Sequence, residues 1–192
     1  MVGMLTNEII TSLSVSTKQD MLKAPTNNAD AYEYYLKGKH KFNKRETFTD
    51  VEIARELLQK ALEIDDELIS AKIQLGVTYE RYIDYDKAME IFEETLNQSE
   101  RYSDKKNTAI SVRKIGVIYF SRDNKYEKAL DYFKRSLELS MLIDDKSLTS
   151  SALNNIAATY GKQKNEDRQI EYYTRALQVA EEIGDKFNIV LV

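Results

Sequence analysis

The chain has 192 residues, 28 basic and 32 acidic side chains, and a formal net charge of −4. It carries six Gly, one Pro, one His and no Cys, too few turn formers for a sandwich, a barrel or a Gly-rich α/β fold. What remains is an all-α chain of long helices joined by short polar links, with no disulfide, no thiolate chemistry and no site needing two imidazoles.

In chain order, residues 1–28 come first. Met4, Leu5, Ile9, Ile10 and Leu13 have the spacing of a short amphipathic helix, Ser14 to Lys18 is polar, and Pro25-Thr26-Asn27-Asn28 is a linker. The charge pattern of the first twenty residues is not that of a signal peptide.

Residues 29–66 hold two blocks, Tyr34-x3-Gly38-x3-Phe42 and Ala54-x3-Leu58-x2-Ala61-Leu62. Residues 67–104 repeat them as Lys72 to Tyr79 and Ala88-x3-Phe92-x2-Thr95-Leu96. Residues 105–145 give Val112 to Tyr119 and Ala129-x3-Phe133-x2-Ser136-Leu137. Residues 146–184 give Leu153 to Tyr160 and Gln169-x3-Tyr173-x2-Ala176-Leu177. Tyr79, Tyr119 and Tyr160 lie 40 and then 41 residues apart, and Phe92, Phe133 and Tyr173 lie 41 and then 40 apart. Two blocks sharing one period define a repeat. The wider gap between Gly38 and Ala54 places a short insertion around Asn43 to Thr47 in the first copy.

Each repeat reads as two antiparallel helices. Leu75 and Tyr79, like Ile115 and Tyr119, are i,i+4 pairs on one helix face. Gly76, Gly116 and Ala157 let a neighbouring helix approach closely, and large aromatic and small residues alternate across facing positions so that two antiparallel helices interlock. Thr49-x-x-Glu52 and Asn124-x-x-Glu127 resemble capping boxes, and Asp84 and Asn165 suit the caps of their second helices. One hairpin cannot bury both faces, so hairpins stack into a curved array with a concave side.

The final stretch, Asp185 to Val192, is in phase with Asp145-Lys146 and reads as the start of another first helix. Its apolar residues Ile189 to Val192 lack a covering helix. The expectation is either a piece of a longer protein or an end that docks on another subunit, a route to a homo-oligomer.

The blocks resemble the tetratricopeptide repeat (TPR) family over Ala29 to Val192, in a long-helix form with 40- to 41-residue units against a family minimum of roughly 34. Lys72 stands at a usual aromatic position, Thr95 and Ser136 at a usual Ala, Gln169 at another, and the usual terminal proline is absent. The resemblance implies a TPR superhelical solenoid of stacked antiparallel helix pairs. The stretch Pro25 to Lys39, with the insertion after Phe42, is similar to the junction leading into TPR arrays of bacterial signalling proteins with class III adenylate/guanylate cyclase domains and of some transcription regulators. That likeness implies a regulatory or dimerising segment of such a protein as the alternative function.

In that family the first helices line the concave groove. Carried over by position, the groove residues are Tyr35, Lys39 and Phe42 in the first repeat, then Ile73, Val77, Glu80 and Arg81. Ile110, Arg113, Val117 and Phe120 follow in the third repeat, and Ser151, Asn154, Ala158 and Lys162 in the fourth. Asn155 matches an asparagine that hydrogen-bonds a ligand backbone in peptide-binding relatives. Val77, Val117 and Ala158 stand where the carboxylate clamp of chaperone-binding relatives needs Asn or Lys, which disfavours a chaperone C-terminus. The implied function is a non-catalytic module that binds a protein or peptide with apolar anchors and some acidic groups.

The chain shows no phosphate loop and no catalytic or metal motif. His40, among lysines, reads as a surface residue. Asp65-Asp66-Glu67 and Asp144-Asp145 fall between repeats and read as caps. The expectations are therefore no catalytic residue, no metal and no cofactor, with no nucleic-acid or membrane partner and a cytoplasmic location.

Overall fold

A computed structural model describes residues 26–184. The amphipathic segment expected around Met4 to Leu13 and the apolar end Ile189 to Val192 lie outside the described residues. Within them there are eight helices and no strand. Two compact units divide between Leu68 and Ile69.

The first unit holds α1 (Ala29–Asn43) and α2 (Phe48–Ile64). The Asn28 side chain accepts from the Asp30 and Ala31 N–H groups and starts α1. Ala31, Tyr35 and Phe42 of α1 and Val51, Ala54, Leu58 and Ala61 of α2 form the core. The capping box of α2 is Thr47 with Asp50, two residues before the expected Thr49 and Glu52. The insertion is divided by the fold. The link between the helices has four residues, 44–47, against three, 82–84, in the next hairpin. The rest begins α2 about one turn earlier relative to Ala54.

The second unit holds three antiparallel hairpins. They are α3 (Ile69–Arg81) with α4 (Tyr85–Arg101), α5 (Lys105–Ser121) with α6 (Tyr126–Leu142), and α7 (Lys146–Lys162) with α8 (Glu166–Glu182). Each helix also packs on the next along the chain. Gly76 meets Phe92 and Gly116 meets Phe133. Both phenylalanines are almost wholly enclosed. Aromatic pairs recur on the period, with Tyr119 stacked on Tyr132 at 5.4 Å and Tyr160 on Tyr172 at 5.6 Å between ring centroids.

The turns are built by a repeated device. Ile83, Ser103, Asp144 and Lys164 have positive φ. The next residue's N–H then bonds back to close the finished helix, in Asp84 to the Tyr79 carbonyl, Asp104 to Ser99, Asp145 to Ser140 and Asn165 to Tyr160. That same residue's side chain accepts from the first turn of the next helix, at Lys87, Asn107, Leu148 and Arg168. One Asp or Asn thus ends one helix and starts another, and only the second of these roles was expected for Asp84, Asp145 and Asn165. Burial pushes the Asp145 carboxyl up, but the Leu148 N–H and the Lys106 ammonium 3.0 Å away outweigh it, so it sits below the usual carboxylate range.

The α5–α6 link departs from this pattern. It is one residue longer, Asn124 takes the positive φ, and the cap position is Lys125, whose side chain makes no capping bond. Asn124 therefore caps nothing in the sense expected; its side chain accepts from the Tyr126 hydroxyl at 2.9 Å.

Ile83 is the costly member of the set. A β-branched residue at φ 66° is strained by roughly 1–2 kcal/mol, and this side chain is 73% exposed, so packing offsets little of it. Ile83→Gly is expected to stabilise the chain by about 1 kcal/mol in urea unfolding, after the entropy cost of glycine. An unchanged or lower midpoint would refute the strain argument.

Buried hydroxyl pairs join successive hairpins. The Thr108 and Ser99 hydroxyl oxygens lie 3.1 Å apart and those of Thr149 and Ser140 2.9 Å apart, each threonine sharing its one proton between the serine oxygen and the Asp104 or Asp145 carbonyl. Among the described residues, no helix is long and apolar enough to cross a membrane.

Candidate functional site

In the second unit the first helices of successive hairpins, α3 with α5 and α5 with α7, approach one another more closely than the second helices do. A stack whose first helices are nearer together curves toward them, so α3, α5 and α7 form the concave side of this unit.

The period lines their residues up in columns. Ile73, Arg113 and Asn154 form one. Gln74, Lys114 and Asn155 form the next, and Val77, Val117 and Ala158 a third. Most members are half-buried, as side chains on an inward surface should be. Val77 packs against the core around Phe92, and Val117 and Phe120 against the core around Phe133. Arg81 and Lys162 are exposed at the helix ends. Ile110 and Ser151 are half-buried one turn earlier.

Electrostatics concentrate between α3 and α5. Lys114 Nζ lies 2.7 Å from Glu80 Oε2, with side chains only 15% and 18% exposed. Burial pulls the Lys114 ammonium below its ordinary range, against the opposing pull of Glu80. Burial also lowers Arg113, and Glu80 again acts the other way. Arg113 forms no ion pair among the described residues, and its Nε is enclosed with no hydrogen-bond partner. The Asn155 Nδ2 amide is likewise enclosed and unpartnered among them. The site therefore holds two half-buried cations, one half-buried carboxylate and two enclosed donor atoms, Arg113 Nε and Asn155 Nδ2.

Three of the expected residues lie in the first unit. Tyr35 and Phe42 are core residues of that unit. Lys39 is exposed, its ammonium 5.7 Å from the Tyr35 ring centroid. Lys114 was not among the groove residues read from the sequence, although it shares a column with Asn155. The recurrence at near-constant spacing was the signal that could have found it.

Among the described residues, no three His, Cys, Asp or Glu side chains are grouped to hold a metal. His40 is exposed. A shallow hollow of about 570 Å³, lined by Ile143, Asp144, Asp145, Lys146, Ser147 and Ile183, lies at the turn into α7 and beside the end of α8.

Two family models described as tetratricopeptide repeat match the chain, over residues 67–141 and 149–183. No curated protein matches it at a significant level. Solved structures do. Aspartyl phosphate phosphatase F from Bacillus subtilis aligns with a TM-score of 0.72 and 17% identity, over 83% of this chain and 42% of its own. A Signal Transduction ATPase with Numerous Domains protein with a tetratricopeptide repeat sensor, from Pyrococcus horikoshii, gives 0.71 and 21%, over 82% of this chain and 24% of its own. PilF from Pseudomonas aeruginosa gives 0.64 and 20%, over 79% and 62%. The chain thus spans less than half of the first two structures. At these identities the likeness is one of fold.

Proposed function

We propose that this chain, which belongs to the tetratricopeptide repeat family through residues 67–141 and 149–183, is a non-catalytic module that binds a segment of a partner protein along α3, α5 and α7. Repeats of this family generally mediate protein–protein interaction, and the same helices supply the concave side here. The observation that carries the reading is the mixed lining of that side. Apolar Ile73, Val77, Val117 and Phe120 lie beside Arg113, Asn154 and Asn155, all half-buried. Apolar side chains give a peptide its anchors, and amide and guanidinium groups fix its orientation. Arg81 and Lys162, two exposed cations of the second unit, belong to the same proposal.

The test is a display selection of random peptides on the 192-residue chain. Selected peptides are expected to lose at least tenfold in affinity with Ile73→Glu, which puts a charge on the proposed floor. They should keep it with Ile170→Glu, at a side chain 65% exposed on α8. The reverse pattern, with both variants folded by circular dichroism, would move the binding surface elsewhere.

A second reading makes the chain a regulatory or dimerising segment of a larger bacterial signalling protein. Met141 and Leu142, 59% and 65% exposed at the end of α6, favour it because they lie off the concave side. Light scattering tests it. A strict monomer at high concentration counts against dimerisation.

A further inference from the structure

We propose that the amphipathic segment Met4 to Leu13, outside the described residues, docks as a helix on an apolar stripe of α2 formed by Ile53, Leu57 and Ile64. Segment and stripe both belong to the first unit.

The stripe is a second apolar face of α2. Ala54 and Leu58 meet Gly38 of α1 and belong to the core of the unit. Ile53, Leu57 and Ile64 are spaced i, i+4 and i+11, so they share a different face of the helix. Ile53 is 38% and Ile64 41% exposed, and Leu57 is half-buried. At the position of Ile53 the other three hairpins carry cations, Lys87, Lys128 and Arg168. A cation suits a solvated surface; an isoleucine at the same place suits a covered one.

Three observations point to the covering segment. The repeat equivalent of Leu57 is Tyr132, which packs on the core around Phe92 of the preceding hairpin. That side of a second helix therefore receives whatever precedes its hairpin, and residues 1–25 precede this one. The Thr26 hydroxyl donates to the Asp65 carboxylate, and Asp65 is the C-cap of α2, directly after Ile64. The chain thus enters α1 from a point pinned beside one end of the stripe. The lengths also match. A ten-residue helix spans about 15 Å and the stripe about 17 Å, while residues 14–25 reach up to about 40 Å when extended.

The chemistry of the segment fits the same pose. Leu5, Ile9 and Leu13, at i, i+4 and i+8, fall on one helix face, and Asn7 and Thr11 fall on the opposite one. Docking turns the first face to α2 and the second to water. Glu8 stands between Leu5 and Ile9, and exposed Lys60 between Leu57 and Ile64, so opposite charges flank the contact. A helix this short is marginal in isolation, which couples its folding to docking. The tether holds it near the stripe at a concentration on the order of millimolar, so a small contact suffices.

The test is paramagnetic NMR on the full chain. It has no cysteine, so Asn7→Cys carries a single nitroxide on the polar side of the segment. Relaxation enhancement at the Ile53 methyl is expected to be at least fivefold larger than in the same chain with Ile9→Glu, a change that touches no residue of the described hairpins. Ile53 is the informative methyl because Ile64 lies beside the tether. Ile53→Glu, read at the Leu57 methyls, should give the same loss. No enhancement at Ile53, or equal enhancement with and without Ile9→Glu, would overturn the docking. Isotope-labelled chain mixed with unlabelled chain bearing the nitroxide is expected to show no enhancement. Enhancement of Ile53 in that mixture would assign the stripe to a second copy and overturn docking within one chain.

Discussion

Phe92→Ala is expected to cost about 3–5 kcal/mol of unfolding free energy, the largest loss at any single site in the second unit, with Phe133→Ala close behind. Phe92 is fully enclosed and Phe133 1% exposed. Each is the second-helix knob that meets the small residue of its own first helix, at Gly76 and Gly116. Each also belongs to a core shared with neighbours: Phe92 lies with Ile115 and Ile118 of the following hairpin, Phe133 with Leu153 and Ile156. Truncation therefore loosens a hairpin internally and from its neighbour at once. Domains of this kind are stable by only about 5–15 kcal/mol, so the change should be plain in urea unfolding. Tyr173→Ala, at the equivalent but half-buried position, should cost less. A loss below about 1 kcal/mol at Phe92 would contradict the packing described.

Gly76→Ala is the second large effect, and its sign is informative. In an ordinary helix the change gains about 1 kcal/mol from propensity. Here the new Cβ would lie 2.5 Å from Phe92 Cε1, and the ring is fully enclosed. Overpacking of this kind costs about 1–3 kcal/mol, so the net result is expected to be a loss. Phe92→Leu shortens the knob. The double variant should therefore be more stable than the sum of the single effects, with a coupling of at least about 1 kcal/mol. Additive effects would show that the two residues do not interlock.

Much of this architecture could be read in the residues. A packed hairpin repeats its contacts each time it recurs, so Gly76 with Gly116 and Tyr79 with Tyr119 advertise their roles by spacing alone. Caps were legible where one Asp or Asn closes a helix and opens the next, as at Asp84 and Asn165. They were not legible at Thr47, because two threonines two residues apart offer similar starts and local pattern cannot choose between them. Asn124 misled for a related reason. Asparagine suits both an N-cap and a left-handed turn, and an extra link residue put it in the turn. The hydroxyl pairs Ser99–Thr108 and Ser140–Thr149 were on the page as a 41-residue recurrence, hidden because serine and threonine carry no hydrophobic signal.

The site was legible in outline only. Position in the repeat singled out Arg113 and Asn155. That their donors are enclosed and unpartnered among the described residues follows from packing between α5 and its neighbours, which no single-residue property reports. Tyr35 and Phe42 show the converse. The same repeat positions that face inward in one hairpin are filled in the first unit by large aromatics that its own core absorbs.

The most direct measurement is methyl-labelled NMR of the full chain with a display-selected peptide. Binding along the first helices predicts saturable shifts at Ile73, Val77, Ile110 and Val117, with little change at Met141, Leu142 and Ile170. Shifts confined to the latter three, with the first four unmoved, would contradict the account.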